Sequence, residues 1–173
     1  MKAFLRELLI TAVLAIVIFL GVNTTLQTSV VVGASMEPNF SQGERLLVSK
    51  AAYLFSDPER GEVIIFKPPG GRNGDYIKRI IALPGDTVEI KSGMVYLNDT
   101  PLEEAYILYQ PKYTMEKTEI DADKYFVLGD NRSNSNDSHT GWLVPRENII
   151  GQAWVYIWPP ANWGIVPEYP LAE

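Results

Sequence analysis

The chain has 173 residues, 46% of them hydrophobic, which supplies one modest core and points to a single domain. A net charge of -6 without a basic stripe excludes a nucleic-acid binder, which needs a Lys/Arg surplus on some face to neutralise phosphates. With no cysteine there is no disulfide framework, thiol nucleophile or CxxC zinc site, and a single histidine, His139, rules out a multi-histidine metal centre, so no metal and no cofactor is expected.

The first element is the uncharged run from Leu8 to Val22, extended by milder residues toward Leu26, which predicts a membrane anchor over residues 8–26. Lys2 and Arg6 precede it, so the positive-inside rule predicts a short cytoplasmic segment, 1–7, and an extracytoplasmic β-rich domain, 27–173. Local features fit two other readings: a secretory signal cut after Ala34, at Val32-Gly33-Ala34, or a buried core helix.

After Leu26 the pattern turns extended. Strands are predicted over Ser29 to Val32, Arg45 to Val48, Glu62 to Phe66 and Asp75 to Leu83, with Pro68 to Gly74 forming the loop between the last two. Thr87 to Ile90 and Met94 to Leu97 flank Lys91-Ser92-Gly93 as a hairpin, and Tyr125 to Leu128 and Gln152 to Trp158 complete the set. Lys50 to Phe55 is the only helical candidate outside the anchor, and Pro101 to Lys124 reads as a polar excursion. The predicted class is mainly β, an antiparallel barrel-like domain behind one N-terminal helix.

Three islands carry candidate chemistry. Ser35 follows an apolar strand and precedes Met36-Glu37-Pro38, which puts its hydroxyl at a rim with free backbone N–H groups; a plain turn serine has the same surroundings, so Ser35 needs a base nearby. In a strand, Lys78 shares a face with Tyr76 and Ile80, while Arg79 points the other way with Ile77 and Ile81. An apolar setting disfavours the ammonium form, so Lys78 can serve as a general base, although a surface lysine on a two-faced strand fits the same pattern. The rival base is His139, which Asp137 would orient as in a Ser-His-Asp triad. The stretch from Gly129 to Gly141 is rich in Asn, Asp and Ser and reads as a hydrogen-bonded loop able to support the site.

Four motifs in order, behind an N-terminal apolar segment, resemble the bacterial type I signal peptidases over nearly the whole chain. Ser35-Met36-x-Pro38 is similar to that family's nucleophile motif, Arg60-Gly61-Glu62-Val63 to Phe66 to its following strand, Tyr76-Ile77-Lys78-Arg79 to Pro84-Gly85-Asp86 to its lysine motif, and Gly129-Asp130-Asn131-Arg132 with Ser135, Asp137, Ser138 and Gly141 to its last box. The resemblance implies a Ser35/Lys78 dyad with Ser135 hydrogen-bonded to the lysine amine, and with Asp130, Arg132 and Asp137 holding the surrounding loop; Arg79 is expected to pair with Asp130. It implies an oxyanion hole at the Ser35 N–H and the Gly33 region, Gly33 standing where some members carry serine. His139 stands where many members carry arginine.

The implied substrates are preproteins cut after a small-x-small motif, docked as an added strand against the Ser29 to Ala34 edge and the Asp75 to Ile80 strand, with Val32, Ala34, Met36, Tyr76 and Ile77 as contact residues. The implied location is the plasma membrane or another bacterial-type energy-transducing membrane, with Trp142, Trp158 and Trp163 facing the headgroups of the bilayer; core packing is an equal reading for Trp158. Three other readings remain on sequence: a soluble self-cleaving Ser/Lys repressor peptidase, a non-catalytic membrane-tethered module that binds extended peptides, and a secreted esterase using Ser35 and His139.

Overall fold

A computed structural model describes residues 2–71, 73–169 and 171. Met1 and residues 172–173, the outer limits of the expected segments, lie outside them, as does the side chain of Lys2, which entered the expected orientation.

The apolar run forms helix α1, Lys2–Thr25, of 24 residues. Its Phe4–Thr25 portion is long and apolar enough to cross a membrane, and none of its apolar face is buried against the rest of the chain, which removes the core-helix reading. At 1.5 Å per residue those residues span about 33 Å, against about 30 Å of bilayer hydrocarbon. The helix ends at Thr25, because Leu26 already belongs to a strand.

The strands follow in chain order: β1 Leu26–Val30, β2 Arg45–Ser49, β3 Val63–Phe66, β4 Tyr76–Ala82, β5 Thr87–Lys91, β6 Met94–Leu97, β7 Thr100–Pro101, β8 Met115–Glu119, β9 Lys124–Leu128, β10 Val144–Pro145, β11 Ile149–Trp158 and β12 Gly164–Ile165. One sheet has the order β1-β2-β11-β3-β4-β9-β10 with β12 beside β11, and the other has the order β7-β6-β5-β8; every pairing is antiparallel. β1 is shifted from the expected Ser29 to Val32. Pairing with β2 begins at Leu26 and ends at Val30, and the chain then turns away, with Val32 79% exposed. The helical candidate after β2 is a short 3-10 turn, Ala51–Leu54.

The β5–β6 hairpin closes on Ser92 and Gly93, both at positive φ, as a two-residue loop matched to strand twist requires. Asn98 and Asp99 repeat this device between β6 and β7. The polar excursion is built into the second sheet: β8 pairs with β5, and Tyr106 is buried against Ile81, Val88 and Phe126.

Alternation on β3 and β4 sorts their side chains between cores. Val63, Ile65 and Ile77 pack with Met36, Phe40, Leu46 and Val48, while Ile64, Phe66, Tyr76 and Ile80 pack with Tyr125 and Val127. Because all pairings are antiparallel and β1 stands four places from β4 in the order, the two strands run in the same direction. Among the described residues the outer edge of β1 has no strand partner, and β9 pairs with β4 only from Arg79 onward, so the Tyr76–Lys78 stretch has an open edge as well.

Candidate active site

A cleft of about 570 Å3 lies between those two open edges. One wall runs from Gln27 to Val32 and the other from Asn73 to Lys78, with Leu46 and Ile65 beneath, and Ser35 and Asn136 also line it. Val32, Tyr76 and Ile77 stand in this lining. Met36 does not: the turn after Ser35, closed by Phe40 N–H donating to Met36 O at 3.0 Å, sends its side chain into the core, where it is fully buried. Ala34 is also absent from the lining, and its carbonyl accepts from Asn131 Nδ2 at 3.0 Å.

Ser35 and Lys78, 43 residues apart in sequence, meet in the cleft with Nζ 2.6 Å from Oγ. Nζ also donates to Ile77 O at 2.8 Å. Lys78 is 4% exposed, and this burial pulls its amine down from 10.5 to about 8, against the opposing charges of Asp137 and Asp130. An amine so placed can take the proton of Ser35 near neutral pH.

The nucleophile turn is fixed from below. Gly33 takes φ +84°, a left-handed conformation that a side chain would strain, and the chain turns there out of the line of β1. Asn131 holds two consecutive carbonyls, its Nδ2 on Ala34 O and its backbone N–H on Ser35 O at 3.1 Å. The Ser35 N–H has no acceptor among the described residues, so it is available to an oxyanion.

Beneath the dyad the charges are paired. Arg79 forms a two-pronged bridge to Asp130, Nε to Oδ1 at 2.9 Å and Nη2 to Oδ2 at 2.7 Å, with both side chains buried. Its guanidinium lies over the Tyr106 and Tyr169 rings. Arg132 pairs with Glu104, also buried, and donates to Gly129 O. Asp137 Oδ2 accepts from Gly129 N–H, and Oδ1 meets His139 Nδ1 at 2.6 Å. The His139 ring is stacked on Tyr113 at 3.9 Å, and Asp137 rather than Ser35 is its polar partner.

Ser135 departs from the expectation: its Oγ is buried without a hydrogen-bond partner among the described residues, and the lysine amine is satisfied by Ser35 and Ile77 instead. Gly129 explains the crowding, since a Cβ there would come 2.3 Å from Ser135 Oγ and 2.4 Å from Ser35 O. Sequence reasoning missed Glu104, Tyr106, Asn39 and the role of Asn131. Asn39 Nδ2 donates to both Asp130 Oδ2 and Tyr106 O, joining the nucleophile turn to the excursion. Only the polar character of Glu104 within a buried neighbourhood would have signalled it, and that neighbourhood is assembled from distant segments.

The cleft brings together a serine hydroxyl, a desolvated lysine amine and a backbone N–H without an acceptor among the described residues, groups of the kind a serine hydrolase uses. The family model described as "Signal peptidase, peptidase S26" matches residues 4–158. The chain is 45% identical over 137 residues to a probable signal peptidase I-1 of Synechocystis sp., covering 75% of this chain and 70% of that one. It is 42% identical over 168 residues to a signal peptidase I of Leptolyngbya laminosa, covering 92% and 83%, and 39% identical over 164 residues to a probable signal peptidase I-2 of Synechocystis sp., covering 91% and 75%. The chain belongs to the signal peptidase family, peptidase S26.

Proposed function

We propose that this protein removes N-terminal signal peptides from exported preproteins, with Ser35 as nucleophile and Lys78 as general base. The single observation that carries the assignment of roles is the 2.6 Å approach of the buried Lys78 amine to Ser35 Oγ. The neutral amine accepts the Ser35 proton as Oγ attacks the scissile carbonyl, and the Ser35 N–H receives the developing oxyanion. The ammonium then returns that proton to the departing amine of the mature chain, leaving a signal peptide ester on Ser35. A water enters, loses its proton to the same amine and hydrolyses the ester. Lys78 keeps one N–H on Ile77 O throughout, which aims its lone pair at Oγ.

The substrate enters as an extended strand between the open edges of β1 and Tyr76–Lys78. Because these edges run the same way, one strand direction serves both. The substrate's apolar segment lies in the membrane, on the side where α1 meets Leu26, so the signal peptide runs parallel to both edges and its scissile bond falls at Ser35. Small residues preceding the cut fit a cleft floored by Leu46 and Ile65 and crowded by Tyr76. α1 crosses the membrane once with its N-terminus cytoplasmic and the β domain outside, in the plasma membrane or another energy-transducing membrane. Of the three tryptophans expected at the headgroups, Trp158 and Trp163 are 53% and 70% exposed but stand at the end of the sheet away from α1, and Trp142 packs on Phe66.

The test is cleavage of a purified preprotein in micelles with the product termini read by mass spectrometry. Cutting after small-x-small, abolished when the last residue of the signal peptide is made Phe, supports the assignment; cutting indifferent to that residue refutes it.

A further inference from the structure

We infer that Leu54 and Phe55 form a second membrane contact, seated in the lipid interface beside the end of α1. This rests on the reading that α1 crosses the bilayer.

The residues are exposed to a degree that folding does not explain. Leu54, the last residue of the 3-10 turn whose Tyr53 is packed against the core, is 65% exposed, and Phe55 directly after it is 96% exposed. The tip is also tied to the point where α1 ends. Lys50 N–H donates to Thr25 O at 2.8 Å and Lys50 Nζ to Asn23 O at 3.3 Å, so the chain leaving β2 is bonded to the last turn of the helix. From Lys50, five residues reach Phe55, about 10 Å at the rise of a 3-10 turn. The base of the turn is held, with Ala52 N–H on Ser49 Oγ, Tyr53 OH on Glu62 and Arg146 across the Tyr53 ring, so the tip is presented by a braced element.

A lipid surface is the occupant because the tip is continuous with the helix that crosses it: at Thr25 the chain leaves the hydrocarbon, and apolar side chains within about 5 to 10 Å of that boundary reach the acyl region. Asp57 and Glu59 follow directly and are exposed, which places charge where the chain turns back to water. Trp158 lies elsewhere: it pairs with Arg45, which pairs with Val30, at the end of the sheet away from α1.

The position has a consequence for the cleft. β1 continues α1 and has the cleft on its open edge and β2, leading to the tip, on the other. A domain on one helix is free to rock about it; a lipid contact at Leu54 and Phe55 fixes the tilt from the side opposite the cleft and so sets the height of the cleft mouth above the membrane.

The absence of native cysteine makes site-specific labelling clean. Full-length L54C, I16C and K117C, each carrying an environment-sensitive fluorophore, are reconstituted in phosphatidylcholine vesicles with nitroxide lipids labelled at shallow or deep acyl positions. The Ile16 position reports α1, and Lys117 on β8 reports water. Shallow nitroxide is expected to quench the Leu54 label well above the Lys117 label, with Phe55→Ser in the L54C background returning it to the Lys117 level. In addition, Phe55→Asp is expected to lower kcat/KM about tenfold for a membrane-inserted preprotein and leave a short soluble peptide unaffected. If Ile16 is quenched by deep nitroxide while Leu54 matches Lys117, this contact does not exist although the anchor stands. If Ile16 is not quenched either, the membrane-spanning reading itself fails and this inference with it.

Discussion

The burial of Lys78 makes a quantitative claim about pH. With its amine at about 8 instead of the ordinary 10.5, about one molecule in eleven carries the neutral form at pH 7, against about one in three thousand for an unshifted lysine. Desolvation therefore supplies about 300-fold of the base needed at neutrality. The acid limb of kcat/KM should fall at about 8, with activity rising about fiftyfold between pH 6 and pH 8. Lys78→Arg keeps the charge and a comparable length but cannot lose its proton, so it should be inert at every pH. The assay is cleavage of a quenched-fluorescence peptide spanning a signal peptide junction, in detergent micelles, from pH 6 to pH 10, at substrate well below KM. A limb near 6.5, the ordinary histidine value, or measurable cutting by Lys78→Arg would refute the reasoning and return His139 as the base.

The same burial has a stability cost. Lys78 titrates lower in the folded chain than in the unfolded one, so between pH 8 and pH 10.5 the unfolded state binds the extra proton and stability rises with pH. Relative to Lys78→Met, wild type should gain about 3 kcal/mol between pH 7 and pH 11, measured by denaturant unfolding; a pH-independent difference would contradict this. Glu104→Gln leaves Arg132 buried without its carboxylate and should cost about 3 to 5 kcal/mol, read as a lower denaturation midpoint. Asp130→Asn should do the same through Arg79, and wild-type stability in either variant would show the pair to be dispensable. Gly129→Ala drives a methyl into Ser135 Oγ and Ser35 O, and displacing the nucleophile by a fraction of an ångström should lower kcat about a hundredfold with KM little changed.

The parts of the site carried by local pattern were legible. Strand periodicity put Lys78 and Arg79 on opposite faces, which is how one side chain reaches Ser35 and the other Asp130. The Ser92-Gly93 turn announced its hairpin through residues that tolerate positive φ. Where the signal was non-local, reading failed. Glu104 and Tyr106 sit in a stretch with no periodicity, and their burial depends on Arg132 and Arg79, more than twenty residues away. Met36 adjoins Ser35 in sequence, yet a tight turn reverses the chain there and sends its apolar side chain into the core beside Phe40. Ser135 was assigned by family pattern alone, and a contact between two loops is set by packing at Gly129 that no spacing rule conveys. The start of β1 was misplaced for a related reason: pairing with β2 recruits Leu26 and Gln27 despite the stronger β propensity of Val31 and Val32.

The central claim is that Ser35 and Lys78 perform the cleavage, and it is tested most directly by incubating one preprotein in micelles with wild type, Ser35→Ala and Lys78→Ala, each verified as folded by circular dichroism. Wild type should release the mature chain and both variants should release none. Cleavage by a folded Lys78→Ala protein, or binding by wild type without any cleavage, would contradict the account.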